Sequence, residues 1–118
     1  MFKVVALIKR NPKLTREEFI NYWKTVHVPL VKPMLPGLKK YIGSFPVSAE
    51  PAPGSGSAAC VFDGIVELGF DTREALEAAM ATPLFMSEKR QQSSAALMDL
   101  TITQTMVVEE NIIVPEKA

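Results

Sequence analysis

One imidazole is the sharpest chemical feature of this chain, for His27 is the only histidine among its 118 residues. It follows an aromatic helical stretch and stands just before Pro29, where the first helix is predicted to end or kink. A helix C-terminus favours a cation, so the position predicts an imidazole held protonated and able to move a proton. The competing reading is a capping residue that donates to the last free carbonyls. Tyr41 offers a phenol that can donate to a substrate carbonyl or enolate, or that simply packs its ring and wets its hydroxyl. Asp63 and Glu67 alternate onto one face of a predicted strand, and paired carboxylates can divide acid and base work. That face lies opposite the apolar stripe, which points both carboxylates towards a partner subunit. Glu67 is therefore read as structural, while Asp63 stays open between substrate contact and interface. Phe19, Tyr22 and Trp23 form a helical stripe that is either a wall for an aromatic ligand or plain core. Cys60 has no neighbouring cue for activation and reads as an inert thiol.

The composition narrows the classes of function. Thirteen Lys+Arg balance thirteen Asp+Glu, so the general attraction that starts most nucleic-acid binding is missing. No apolar run approaches a membrane span, and the apolar start at residues 1–8 is too short for a signal peptide. A lone cysteine makes no intrachain disulfide, which fits a reducing, cytoplasmic setting. One His and one Cys supply a metal site poorly. The expectation is a single domain over residues 1–118, with no metal and no bound cofactor.

The elements that must position these residues follow from periodicity. Residues 2–8 read as a strand that is apolar on both faces apart from Lys3, and such a strand must be covered on both. Thr15 and Glu18 have the spacing of a capping box, with Leu14 and Phe19 at the positions of a hydrophobic staple. Phe19, Tyr22, Trp23, Val26 and Leu30 then mark one helical face, with an end or kink expected near His27. A second strand is predicted over 38–45, a Pro/Gly/Ser-rich mobile loop over 46–57, and a third strand over about 60–70. Asp71 and Glu74 suggest a second capping box, Thr82-Pro83 a restart, and the helical pattern runs to about Met98. A last strand is expected over about 101–108, before a terminal arm. The order β-α-β-β-α-β predicts an α+β, ferredoxin-like fold: a four-stranded antiparallel sheet with two helices on one face. The other face of the first strand calls for a second copy of the sheet, hence a homodimer.

Several of these residues also carry a family resemblance. The run Val4-Val5-Ala6-Leu7-Ile8-Lys9-Arg10 leading to Leu14-Thr15-Arg16-Glu17-Glu18-Phe19, then Tyr22-Trp23, His27 and Pro29-Leu30-Val31, resembles the opening of the EthD-like family. Pro36-Gly37-Leu38 with Tyr41, and Asp63-Gly64-Ile65-Val66-Glu67-Leu68 with Phe70, are similar to its later landmarks. The likeness covers nearly the whole chain outside 46–59 and the tail. It implies a dimeric α/β barrel, and it favours a functional role for His27, because the family has a histidine there. Tyr41 resembles a tyrosine that lines the pocket of a related muconolactone isomerase. Related barrels include polyketide cyclases, cofactor-independent monooxygenases and haem-degrading enzymes, among which the fold does not choose.

Two readings of function come from different classes. In the first, the chain is an enzyme without cofactor that acts on a small apolar carbonyl, lactone or phenolic compound. His27 and Tyr41 are then catalytic, and Phe19, Tyr22, Trp23 and Asp63 contact the substrate. In the second, it is a non-catalytic module that binds a small hydrophobic or aromatic molecule or assists a degradation pathway. A haem site is the weaker third reading, with His27 as its sole imidazole ligand.

Overall fold

The computed structural model describes residues 1–116. Its sheet has four antiparallel strands: β1 (Phe2–Ile8), β2 (Lys40–Ser44), β3 (Gly64–Phe70) and β4 (Gln104–Glu109). They lie in the order β2-β3-β1-β4, and the helices cover one face. This is the α+β, ferredoxin-like arrangement that the periodicity predicts.

The first helix, α1 (Arg16–Tyr22), starts where the local chemistry requires. Thr15 Oγ1 accepts from the Glu18 N–H at 3.1 Å, and Glu18 Oε1 accepts from the Thr15 N–H at 2.9 Å. Of the two outcomes expected near His27, an end or a kink, the end does not occur, and the helix continues past Pro29 through an irregular turn. It widens into a π-turn over Trp23–His27 and resumes as α2 (Val28–Val31), closing with a 3₁₀ turn over Lys32–Met34. Val28 stays helical, at φ −60° and ψ −50°, and its N–H reaches back five residues to the Trp23 carbonyl. The wide turn falls just before a residue that has no N–H and whose ring crowds the preceding turn.

Two further helices complete the covering layer. The N-cap of α3 (Arg73–Met80) is Thr72, whose hydroxyl accepts from the Ala75 N–H, and not the predicted Asp71. Thr82 does not restart the helix; its Oγ1 accepts from Phe85 N–H within a tight turn. The chain resumes as α4 (Glu88–Leu97) behind a Ser87 cap. β1 has its predicted bounds, whereas β2 and β3 are shorter than predicted and β4 starts later than predicted. β3 begins at Gly64, which leaves exposed Cys60 in the preceding loop, and Asp99 organises a turn ahead of β4.

Strand register sorts the side chains onto two faces. Val4, Ala6, Ile8, Tyr41, Val66, Leu68 and Thr105 point towards the helices. Lys3, Val5, Leu7, Ile42, Ile65, Glu67, Met106 and Val108 point the other way, where no described helix or strand covers them. Ile42 and Ile65 are each 41% exposed and Met106 is 47% exposed. Lys3 Nζ bridges Glu67 and Glu110 on this face. Under the helices the core falls into two groups, one around Phe70, Leu76 and Ala79 and the other around Phe19, Trp23 and Leu97. A cavity lies between them.

Candidate functional site

The cavity has a volume of about 370 Å³. Its floor is Val4, Ala6 and Ile8 of β1, Val66 and Leu68 of β3, Tyr41 of β2 and Thr105 of β4. Trp23, His27 and Val31 form one wall, while Arg90, Ser94 and Leu97 of α4 form another. Most of the lining is apolar, with a few polar groups, as in sites for small organic molecules.

His27 reaches this wall through the helix geometry. Phe19, Trp23, His27 and Val31 are all buried and follow one another at four-residue steps. His27 is only 8% exposed, and its Nδ1 lies 2.9 Å from Ser93 Oγ on α4. Ser93 Oγ in turn meets the Tyr22 hydroxyl at 3.3 Å. That leaves Nε2 as the ring nitrogen without a partner among the described residues. Burial first, and the Arg90 charge second, push the imidazole down to about 4. The ring is therefore neutral at pH 7, which corrects the expectation of a protonated His27. The reason is structural: the helix continues through Pro29, so no helix C-terminus stands at His27 to favour a cation. If Nδ1–H donates to Ser93, Nε2 offers a lone pair; if Ser93 donates to Nδ1, Nε2 offers a proton.

Trp23 on the same wall and Tyr41 on the floor shape the rest of the cavity near His27. Burial pushes the Tyr41 phenol up to about 12, so it remains a donor at all ordinary pH values. Its hydroxyl has no partner among the described residues. The Trp23 indole meets Tyr41 edge to face at 5.8 Å and Phe45 at 5.4 Å. It lies so close to β2 that a Cβ on Gly43 would stand 2.3 Å from Trp23 Cη2. Only glycine permits that approach.

The other predicted site residues stand elsewhere. Phe19 is fully buried core and does not line the cavity, and Tyr22 turns to Ser93. Asp63 is also absent from the lining. Its carboxylate accepts from the Arg10 N–H at 2.9 Å and lies 3.5 Å from Lys9 Nζ, fastening the end of β1 to the start of β3. Glu67 sits on the uncovered sheet face against Lys3.

Two polar residues of the site escaped the reading of the sequence. Ser93 orients His27, and Arg90 brings the only basic side chain besides His27 to the lining. Arg90 Nε donates to the Phe85 carbonyl at 2.6 Å, Nη1 lies 3.5 Å from Ser94 Oγ, and its carbon centre stacks 4.2 Å from the Phe85 ring centroid. No carboxylate lies within ion-pairing distance of it among the described residues, and burial lowers its pKa. The buried stripe of α4 is Ser93, Ser94 and Leu97, with serines where a packed helix normally carries apolar residues, so no apolar periodicity marks this inner face in the sequence. Among the described residues no group of three or more His, Cys, Asp or Glu side chains is placed to hold a metal ion. Nor is any described helix long and apolar enough to cross a membrane.

Comparison with known proteins extends this picture. The model of the EthD domain matches residues 11–101. The chain belongs to the EthD family. Its fold is similar to that of an EthD family protein from Bacillus halodurans, with 22% identity and a TM-score of 0.70 over 94% of this chain and 99% of that one. An EthD-like protein from Ralstonia eutropha is 20% identical, with a TM-score of 0.66 over 98% of this chain and 95% of that one. A dimeric ferredoxin-like protein of unknown function from Thermobifida fusca has 17% identity and a TM-score of 0.59, covering 91% of this chain and 88% of that one. Among curated proteins no relative was found.

Proposed function

We propose that this EthD protein is a cofactor-independent enzyme that performs proton transfer on a small, largely apolar carbonyl, lactone or phenolic compound. The observation that carries the reading is His27, a neutral imidazole held at Nδ1 by Ser93 with Nε2 unpartnered in an apolar cavity. In this reading Nε2 takes a proton from the carbon next to a substrate carbonyl, and the C–H electron pair becomes an enolate. The Tyr41 hydroxyl, which burial keeps protonated, donates to the enolate oxygen. Burial and Arg90 disfavour the imidazolium, so Nε2 returns its proton to the substrate at a second position and the ring ends neutral. The net change is an isomerisation, with no oxidant or reductant. Trp23 supplies a flat apolar wall for the substrate.

The same reading takes the chain as one unit over 1–118 that works in the cytoplasm as a homodimer. Support for the dimer comes from the exposed apolar side chains Ile42, Ile65 and Met106, with half-buried Val5 and Leu7 on the same face, which a second sheet would bury. The Thermobifida fusca neighbour is itself described as dimeric.

The test starts from a ligand carried through purification and identified by mass spectrometry, followed by turnover assays on it and its carbonyl, lactone and phenol analogues. His27→Asn keeps a hydrogen-bonding side chain that cannot titrate near neutrality. It should fold and bind as before while losing roughly 10²-fold or more in turnover. Unchanged turnover in a folded His27→Asn protein overturns the enzyme reading, and binding without turnover in the native protein leaves the binding module.

A further inference from the structure

We propose that Arg90 is the anion-binding group of this cavity, and that the native ligand carries a carboxylate at one end of an apolar body. The proposal deepens the reading of the cavity as a ligand site and rests on it, but it does not require catalysis. A guanidinium is always charged, and moving it into an apolar setting without a counter-charge is costly. Here Arg90 lines a cavity whose titratable side chains are His27, Tyr41 and Arg90 itself, with no acid among them. At neutral pH His27 and Tyr41 are both uncharged. The cavity thus carries one uncompensated positive charge.

Its surroundings hold that charge in place. Nε is committed to the Phe85 carbonyl and the guanidinium carbon lies over the Phe85 ring, while the weak 3.5 Å contact to Ser94 leaves most of the Nη protons free. A planar fork fixed at one edge and open at the other suits the two oxygens of a carboxylate. The apolar floor of Val4, Ala6 and Val66 then takes the body of the ligand. Arg90 and Ser93 are one helical turn apart on α4, and Ser93 holds His27, so the carboxylate would sit beside the imidazole.

Binding can be read without any turnover. The probes are aryl alkanoates from benzoate to 4-phenylbutyrate, each paired with its own neutral primary amide, measured by calorimetry at pH 7.5. The acid of at least one pair should bind ten-fold or more tightly than its amide, and that preference should collapse to near one in Arg90→Gln. Equal affinity within every pair, or no binding by any probe, overturns the proposal, as does a preference that survives in Arg90→Gln. A second readout needs no variant. An anion beside His27 favours the imidazolium, so the bound acid should raise the titration midpoint of the single histidine by NMR, whereas its amide should not. No rise with a bound acid overturns the proposal. His27→Asn should retain the preference for the acid, which separates failure of this inference from failure of the catalytic reading.

Discussion

His27 turns burial into a measurable dependence on pH. In the unfolded chain its imidazole titrates near 6.5, and in the folded protein it is held at about 4. Because the folded value is the lower one, the unfolded state binds a proton first as the pH falls. The neutral, buried ring therefore costs nothing at pH 8, and stability is lost as the pH drops from about 6.5 towards 4. With these two values, linkage gives a loss of about 2.5 kcal/mol at pH 4.5 relative to pH 8. Other groups titrate over the same range; Glu18, Asp99 and Glu110 all have lowered values from hydrogen bonds to their charged forms. They are present equally in His27→Asn, so the difference between the two proteins isolates the imidazole. Guanidinium unfolding of both proteins at pH 8 and pH 4.5, at one fixed protein concentration, supplies the four free energies. Native protein should lose about 2.5 kcal/mol more than His27→Asn. The single histidine also allows a direct NMR titration without assignment. Parallel losses within about 0.5 kcal/mol, or a native midpoint near the unperturbed 6.5, would refute the buried neutral ring.

Four shorter expectations follow from the same geometry. Arg90→Gln removes the smaller of the two causes that depress His27, so its NMR midpoint should rise yet remain below 6.5. Gly43→Ala drives a Cβ into the Trp23 ring and should cost about 1–3 kcal/mol; the fluorescence of the lone Trp should shift with it. Ser93→Ala leaves His27 Nδ1 and the Tyr22 hydroxyl without their shared partner and should cost about 1–3 kcal/mol by denaturant unfolding. A lysine at both Ile42 and Ile65 places charge on the uncovered sheet face; on the proposed dimer, sedimentation at micromolar concentration should find a dimer for the native protein and a monomer for this variant.

The parts of the fold legible in the sequence were those set by near neighbours. Thr15 and Glu18 cap α1 as their spacing predicts, and the alternation in β1 and β3 sorts Val4, Val66 and Leu68 from Lys3, Ile65 and Glu67. Where two neighbours had the right chemistry, spacing alone could not choose, and Thr72 took the cap expected of Asp71. Asp63 shows a different limit. Its alternation with Glu67 was read as a strand pattern, but it lies just outside β3, and its partners Lys9 and Arg10 are more than fifty residues away. The site divides in the same manner. His27, Tyr41 and Trp23 are conspicuous by residue type and stand in one cavity, whereas Arg90 and Ser93 belong to a helix whose residues from Glu88 to Ser94 are all polar. Nothing local indicates that this polar stripe faces inward; that follows from the docking of α4 on the π-turn, with Ser93 sixty-six residues from His27.

Pro29 predicts an end or a kink near His27, and the irregular turn found there aims the imidazole. In an α-helix, residues four apart are displaced by about 40° per step, because 3.6 residues complete a turn. Phe19, Trp23, His27 and Val31 would then spiral across roughly 120°, and a stripe rooted at Phe19 would carry Val31 away from the core. A π-turn winds less per residue, so a single one between Trp23 and Val28 takes back much of that drift. All four side chains consequently face the sheet and are buried. The irregular turn thus serves two ends at once: it gives the proline ring its room and keeps the imidazole on the line of the core. A regular helix ending at residue 27 would have left His27 as an exposed, protonated cap. The same residue inside a continuous helix is instead a neutral ring at the wall of a cavity, and the chemistry proposed for it depends on that difference.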